Sequence, residues 1–416
     1  MLGHELPDEL SEFMAAREDE LIAFRRDLHA HPELGYHEHR TTSRVALRLA
    51  AAGLRPVTLP KGTGLIVDVG NQAADGPLIA LRADLDALPV SDEKSVPYRS
   101  TVPNVCHACG HDVHTTILLG AGLFLAGQAA AGTLPGRVRL IFQPAEEVPH
   151  GALDVLAAGG INSVQRIFGL HCDPRLDVGK VGLRAGAVTA ACDRITLRVT
   201  GPGGHTARPH LTADLVYALG KIITEVPAAL SRRIDPRSTL SLVWGRVNAG
   251  SSANAIPGEG VAEGTVRCLD DNAWHDAPDM VKALIESVAS AYGVVPELSY
   301  QRTVPPTIND PLSTEIFRVA AEEALGPDAV ATTQQSMGGE DFAWYLESVS
   351  GSYARLGTRK PGSDDDFDIH QPMFDVDERA IGVGIRLLVA AAVTATGRTM
   401  SVSETGSPIT LKPGVV

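Results

Sequence analysis

The stretch Leu78-Ile79-Ala80-Leu81-Arg82-Ala83-Asp84-Leu85-Asp86-Ala87-Leu88-Pro89 decides the fold. Its first half, residues 78–82, is apolar on both faces, as in a central strand of a sheet covered by helices. It then runs out into two carboxylates, Asp84 and Asp86. Sheets of α/β proteins bind their ligands at the carboxyl ends of such strands. The other reading of the two acids is a plain loop cap.

Working outward, Cys106-His107-Ala108-Cys109-Gly110-His111-Asp112-Val113-His114 follows. Its cysteines, histidines and aspartate are metal-ligand types, and Gly110 lets the backbone turn so that their side chains converge. Asp112 reads as the N-cap of a helix that carries Thr116-Ile117-Leu118-Leu119 onward. Taken alone, the Cys-x-x-Cys also fits a redox pair or half of a structural zinc site, although no second Cys/His pair appears.

Two more strands repeat the arrangement. Residues 136–142 end in Gln143-Pro144-Ala145-Glu146-Glu147, and residues 166–170 end in His171-Cys172-Asp173. Three strands and one loop therefore deliver metal-type side chains at equivalent ends. Thiolate, imidazole and carboxylate together suit zinc or a neighbouring first-row ion. More ligands than one tetrahedron needs imply two ions. Neighbours in an extended chain point to opposite sides, so one of Glu146 and Glu147 ligates while the other stays beside the water as a base.

The remaining pattern gives helices at 8–30 and 41–52, a strand at 64–69 and a helix at 152–158. Around Gly186 the character changes. Strands at 194–200, 240–247, 260–269 and 297–303 alternate with helices at 214–229 and 277–292. This β-α-β-β-α-β order is that of a ferredoxin-like α+β insert. Pro305-Pro306 marks the return, followed by a helix at 312–325, a glycine turn at Met337-Gly338-Gly339, a strand at 353–356 and a closing helix at 377–395. Residues 364–368 read as a solvated acidic loop and the chain from Thr396 as a polar, irregular tail.

A chain of 416 residues is too long for one ordinary core, so two domains are expected. We place a catalytic α/β/α domain with a mixed sheet at 1–187 and 306–416, and an inserted lid/dimerisation domain at 188–305. The net charge of −14, without a basic tract, argues against nucleic acid and anionic membrane surfaces as partners. Five cysteines do not make a disulfide framework. The first residues lack the pattern of a signal peptide, and the apolar run at 115–132 reads as a buried helix, so a cytoplasmic location is expected.

The motifs His31-Pro32-Glu33-Leu34-Gly35, Leu81 to Pro89, His107 to His114, Gln143 to Glu147, Gly169-Leu170-His171, Gly203-Gly204-His205-Thr206-Ala207, Asn254-Ala255-Ile256-Pro257, Met337 to Phe342 and the late His370 run in order along the chain. In these the sequence resembles a bacterial metal-dependent amidohydrolase of the aminoacylase/carboxypeptidase superfamily. The branch is that of hippurate hydrolase, N-acyl-amino-acid amidohydrolases and indole-3-acetyl-amino-acid hydrolases. The resemblance implies two divalent ions (zinc, manganese, cobalt or nickel) held by Cys109, His111, Glu147, His171 and His370, with Cys109 bridging. It implies Glu146 as general acid/base activating a metal-bound water, Asp86 orienting that base, His205 stabilising the oxyanion and Asn254 holding substrate. Asp84 stands where other branches keep a metal histidine. His114 reads as a supporting residue, Cys106 and Cys172 as bystanders, and His150 replaces a small residue. The implied substrate is a small N-acyl amino acid, hippurate-like, N-acetyl or aryl-acetyl, and the implied assembly a homodimer through the insert. A dipeptidase or carboxypeptidase-like activity is the alternative within the class. A thiol redox or metal-buffering protein using Cys106 and Cys109 is the alternative outside it.

Overall fold

The computed structural model describes residues 6–71, 76–363 and 367–397. Two compact units emerge. The first comprises Met1–Gly186, Asn309–Gln334 and Trp344–Val416, and the second Ala187–Ile308 with Gln335–Ala343. The return of Gln335–Ala343 to the second unit has no signature in the sequence beyond its glycines.

The first unit is built on an eight-stranded mixed sheet. Its order is Val57–Thr58, Leu65–Val69, Arg137–Gln143, Leu78–Asp84, Val164–Asp177, Gly351–Arg359, Val181–Leu183 and Val330–Thr332. Leu78–Asp84 lies inside, parallel to both neighbours, and every residue of it is buried. The two-faced apolar pattern thus marks a central strand, and the carboxyl ends of three parallel strands lie side by side. The strand expected to stop at Leu170 continues to Asp177, so His171 and Cys172 are strand residues.

Helices Leu6–Ala30, His111–Ala131 and Arg379–Gly397 pack on one another, and the last two pack on the central strand. Both of these are long and apolar enough to cross a membrane, yet 72% and 67% of their most apolar windows lie buried in the fold. Small residues let them approach. A Cβ on Gly120 would stand 2.4 Å from Ile385 Cδ1, and one on Gly384 would stand 2.4 Å from Ile117 Cδ1. The closing helix runs to Gly397, past the expected end. The tail beyond it, and Asp364–Asp366 of the acidic loop, lie outside the described residues.

The second unit has a four-stranded antiparallel sheet in the order Ser241–Ala249, Glu259–Cys268, Ala191–Thr200, Val295–Val304. Numbered by sequence within the unit, this is 2-3-1-4, the ferredoxin-like order. Helices Leu215–Arg233 and Asp271–Ser290 pack together against it. Asp214 and Asp270 cap them by accepting the N–H of Tyr217 and of Ala273. Buried Asp193 accepts from Trp274 Nε1, Tyr300 Oη and the Thr303 N–H, which ties the first strand to the second helix and the last strand.

Candidate metal centre

The site grows from the loop after Leu78–Asp84 and the start of helix His111–Ala131. Gly110, not Asp112, occupies the N-cap position, with φ +85°. A Cβ there would also lie 2.7 Å from Cys172 Sγ. Asp112 sits in the first helical turn instead, fully buried, because Arg25 Nε and His29 Nδ1 reach it, each at 2.7 Å. Its charge is consumed in anchoring the first helix, which is why it does not cap its own.

Cys109, His111 and His171 place one donor atom each within 4.8 Å of one another, and so do Cys109, Glu147 and His370. Cys109 belongs to both groups. Its Sγ is 3.3 Å from His171 Nε2, and Glu147 Oε1 is 3.3 Å from His370 Nε2. His370 adopts φ +66° and donates its backbone N–H to Ala108 O at 2.6 Å, which carries a residue far along the chain onto the cysteine loop.

These residues fit a metal. His111 Nε2 and Glu147 Oε1 are buried without a hydrogen-bond partner and stand 4.0 Å apart. Two such atoms on one tetrahedral zinc-like ion lie about 3.4 Å apart, so small side-chain rotations bring this pair onto a shared ion. Burial first, then the Glu147, Glu146 and Asp84 carboxylates, push the Cys109 thiol far above its ordinary range. A cation held among these donors would offset the clustered negative charge and favour the thiolate.

Glu146 and Glu147 do not alternate as an extended chain would make them. Ala145 has φ +54° and the chain turns there, so both glutamates come within reach of His111. Two buried carboxylates hold this turn by three successive amides. Glu38 Oε1 accepts the Ala145 N–H at 2.7 Å. Asp86 accepts the Glu146 N–H at 3.1 Å and the Glu147 N–H at 2.9 Å. Asp86 Oδ1 is also 3.3 Å from His111 Nδ1, so one carboxylate serves both the turn and an imidazole.

Burial lowers the affinity of His111 for a proton, but Asp84, Asp86 and Glu147 overcome it and carry the imidazole up to about 10. His171 is driven well below its ordinary value, by burial first and the Arg355 charge second. Asp84 accepts from Arg82 Nη1 and is 2.6 Å from His114 Nδ1, while His114 Nε2 accepts the Cys172 N–H. Both ring nitrogens of His114 are thereby used, in keeping with a supporting role. Cys106 lies 3.5 Å from Lys94 Nζ, and both it and Cys109 are free thiols.

His205 and Asn254 belong to the second unit, where they are exposed neighbours. Strand Gly204–His205 pairs with Ala255–Ile256, and the Thr206 N–H donates to Asn254 O. Sequence reasoning missed Glu38, and it missed Glu33, whose carboxylate accepts the N–H groups of Arg40 and Thr41. The signal was the His31-Pro32-Glu33-Leu34-Gly35 motif, whose loop backs the acidic turn. A Cβ on Gly35 would lie 2.6 Å from Val148 Cγ2 and 3.3 Å from Asp86 Oδ2.

Thiolate, imidazole and carboxylate donors at the open end of a mixed sheet, beside a second glutamate, define a metal-assisted hydrolase. A family model described as Peptidase family M20/M25/M40 matches residues 80–394. The chain belongs to this family, and it is a hydrolase acting on amide bonds. It is 38% identical over 370 residues to N-acetyl-L-cysteine deacetylase of Bacillus subtilis, covering 88% of this chain and 86% of that one. It is 50% identical over 374 residues to a Rhodococcus jostii protein named putative glutamate–cysteine ligase 2-3. That match covers 90% of this chain but only 46% of the relative, so this chain spans about half of that protein's length. Among solved structures, a Bacillus subtilis protein described as a dinuclear metal-binding peptidase of the M20 family aligns with a TM-score of 0.80 and 35% identity. The alignment covers 91% of this chain and 98% of that one.

Proposed function

We propose that the protein hydrolyses the amide bond of N-acyl amino acids to a carboxylic acid and an amino acid. The observation that carries this reading is Cys109, common to two donor groups, next to a turn that presents both Glu146 and Glu147. Similarity to an N-acetyl-L-cysteine deacetylase and to a dinuclear metal-binding peptidase supports it. Cys109, His111, Glu147, His171 and His370 would hold two divalent ions, with Cys109 serving both. Such ions supply Lewis-acid polarisation of the carbonyl and a water acidic enough to react at neutral pH.

The chain's own residues do the rest. Glu146 takes a proton from water on a carboxylate oxygen and returns it to the departing nitrogen. Asp86 fixes the turn that aims Glu146 and sets the orientation of the His111 ring. His205 would stabilise the oxyanion and Asn254 would hold the substrate, in their own subunit or across a homodimer formed by the second unit. The edge strand Ser241–Ala249, with Val243 61% and Val247 49% exposed, supports that assembly.

The test is a hydrolysis screen of N-acetyl, N-benzoyl and aryl-acetyl amino acids with zinc, manganese, cobalt or nickel supplied in turn. Glu146→Gln is expected to retain its metal and lose turnover. Full activity in that variant rejects Glu146 as the base, and release of amino acids only from free dipeptides favours the peptidase alternative.

A further inference from the structure

Arg355 lies on strand Gly351–Arg359 of the first unit. It is in register with His171 on the parallel neighbour and with Gly182 on the antiparallel one. Residues in register share a face of the sheet. Arg355 therefore lies on the face of His171 and Tyr353, whose rings are 6.3 Å apart, and its Cζ is 5.9 Å from the Tyr353 ring. Gly182 leaves room for it, since a Cβ there would approach Arg355 Cβ to 3.1 Å.

The residue is only 8% exposed, and its Nε is buried without a hydrogen-bond partner. Among the described residues no carboxylate lies within ion-pair distance of its guanidinium. The nearby Asp173 is engaged twice by Arg175, at 2.9 Å each. Arg25 and Arg82, also buried, are both paired, the first with Asp112 and Asp375 and the second with Asp84. An unpaired buried charge is strongly unfavourable, and a guanidinium is the side chain best shaped to take a carboxylate with two parallel hydrogen bonds.

We propose that Arg355 recognises the free carboxylate of the substrate's amino-acid half, making the enzyme selective for N-acyl amino acids over their amides. This rests on the amidohydrolase reading and names a specificity residue for it. The anion supplies the missing partner of Arg355, and its attachment beside His171 sets the scissile amide over the donor cluster.

The experiment compares N-benzoylglycine with N-benzoylglycinamide in wild type, Arg355→Gln and Arg355→Lys. Wild type is expected to favour the acid. Arg355→Gln is expected to raise KM for the acid about 10- to 100-fold, as for loss of a charge-assisted pair, with kcat and metal content little changed and the preference abolished. Arg355→Lys, which keeps the charge and guards against a misfolded glutamine variant, should retain part of the preference. An unchanged acid-to-amide ratio in either variant overturns the proposal. Thermal-shift binding of N-benzoylglycine and N-benzoylglycinamide in the Glu146→Gln background provides a readout without turnover. Stabilisation by the acid that disappears when Arg355→Gln is added supports the proposal even if no N-acyl amino acid is cleaved. Cleavage by the wild type with Arg355-independent binding of the acid sinks the proposal and leaves the hydrolase reading intact.

Discussion

Replacing Asp86 by Asn isolates the contact on which the site's geometry turns. The carboxylate accepts the Glu146 N–H with one oxygen and the Glu147 N–H with the other, and the first oxygen also faces His111 Nδ1. Asn is the same size but has one acceptor oxygen, so in either orientation an NH2 faces a buried N–H. One amide loses its partner, at a cost of about 1–3 kcal/mol. If the NH2 faces Glu146 it also opposes His111 Nδ1, which then loses the partner that fixes its tautomer. Loss of such a support typically costs 10–100-fold in metal affinity. Chemical denaturation of the chelator-treated protein and zinc titration by competition with a chromophoric chelator measure the two effects. A variant with wild-type stability and wild-type zinc affinity would refute the reasoning, because no other residue is assigned both contacts.

Burial first and the Asp86 charge second push the Glu38 carboxyl up to about 7, against an ordinary value of 4.5. Between those values the folded protein holds a proton that the unfolded chain has lost. Stability should therefore fall as pH rises from about 4.5 to about 7, by roughly 3 kcal/mol from this group. Glu38→Gln, which can still accept the Ala145 N–H, should flatten that slope in urea denaturation series. Asp112→Ala removes the fully buried partner shared by Arg25 and His29, leaving Arg25 with Asp375 and Glu378 and His29 with Asp92, and should destabilise by about 1–3 kcal/mol, read as a shift in denaturation midpoint. Gly384→Ala forces a methyl against Ile117 and should cost about 1–3 kcal/mol while the folded fraction keeps its metal content.

Much of this architecture was legible because burial leaves a periodic trace. A strand apolar on both faces has to be central, and Leu78–Asp84 is. Strand alternation with two intervening helices gave the second unit, down to a ferredoxin-like strand order. The errors have local causes. Asp112 looks like a cap by position, but a buried arginine and histidine from another helix claim it, and no single-chain pattern announces a partner 87 residues away. Glu146 and Glu147 follow a strand, and nothing in an alanine signals a positive φ; the turn at Ala145 is imposed by Glu38 and Asp86. Arg355 was silent for a similar reason, since its meaning lies in the absence of a partner, which only coordinates reveal.

Five donors, separated by up to 261 positions from Cys109 to His370, are proposed to surround two cations with Glu146 free to move a proton. Anomalous diffraction from crystals of the zinc-loaded protein tests it most directly. Two peaks are expected, both within bonding distance of Cys109 Sγ, with His111, Glu147, His171 and His370 completing the ligand set and Glu146 outside it. A single peak, or peaks at the buried His29, Asp92 and Cys106 group instead, would contradict it.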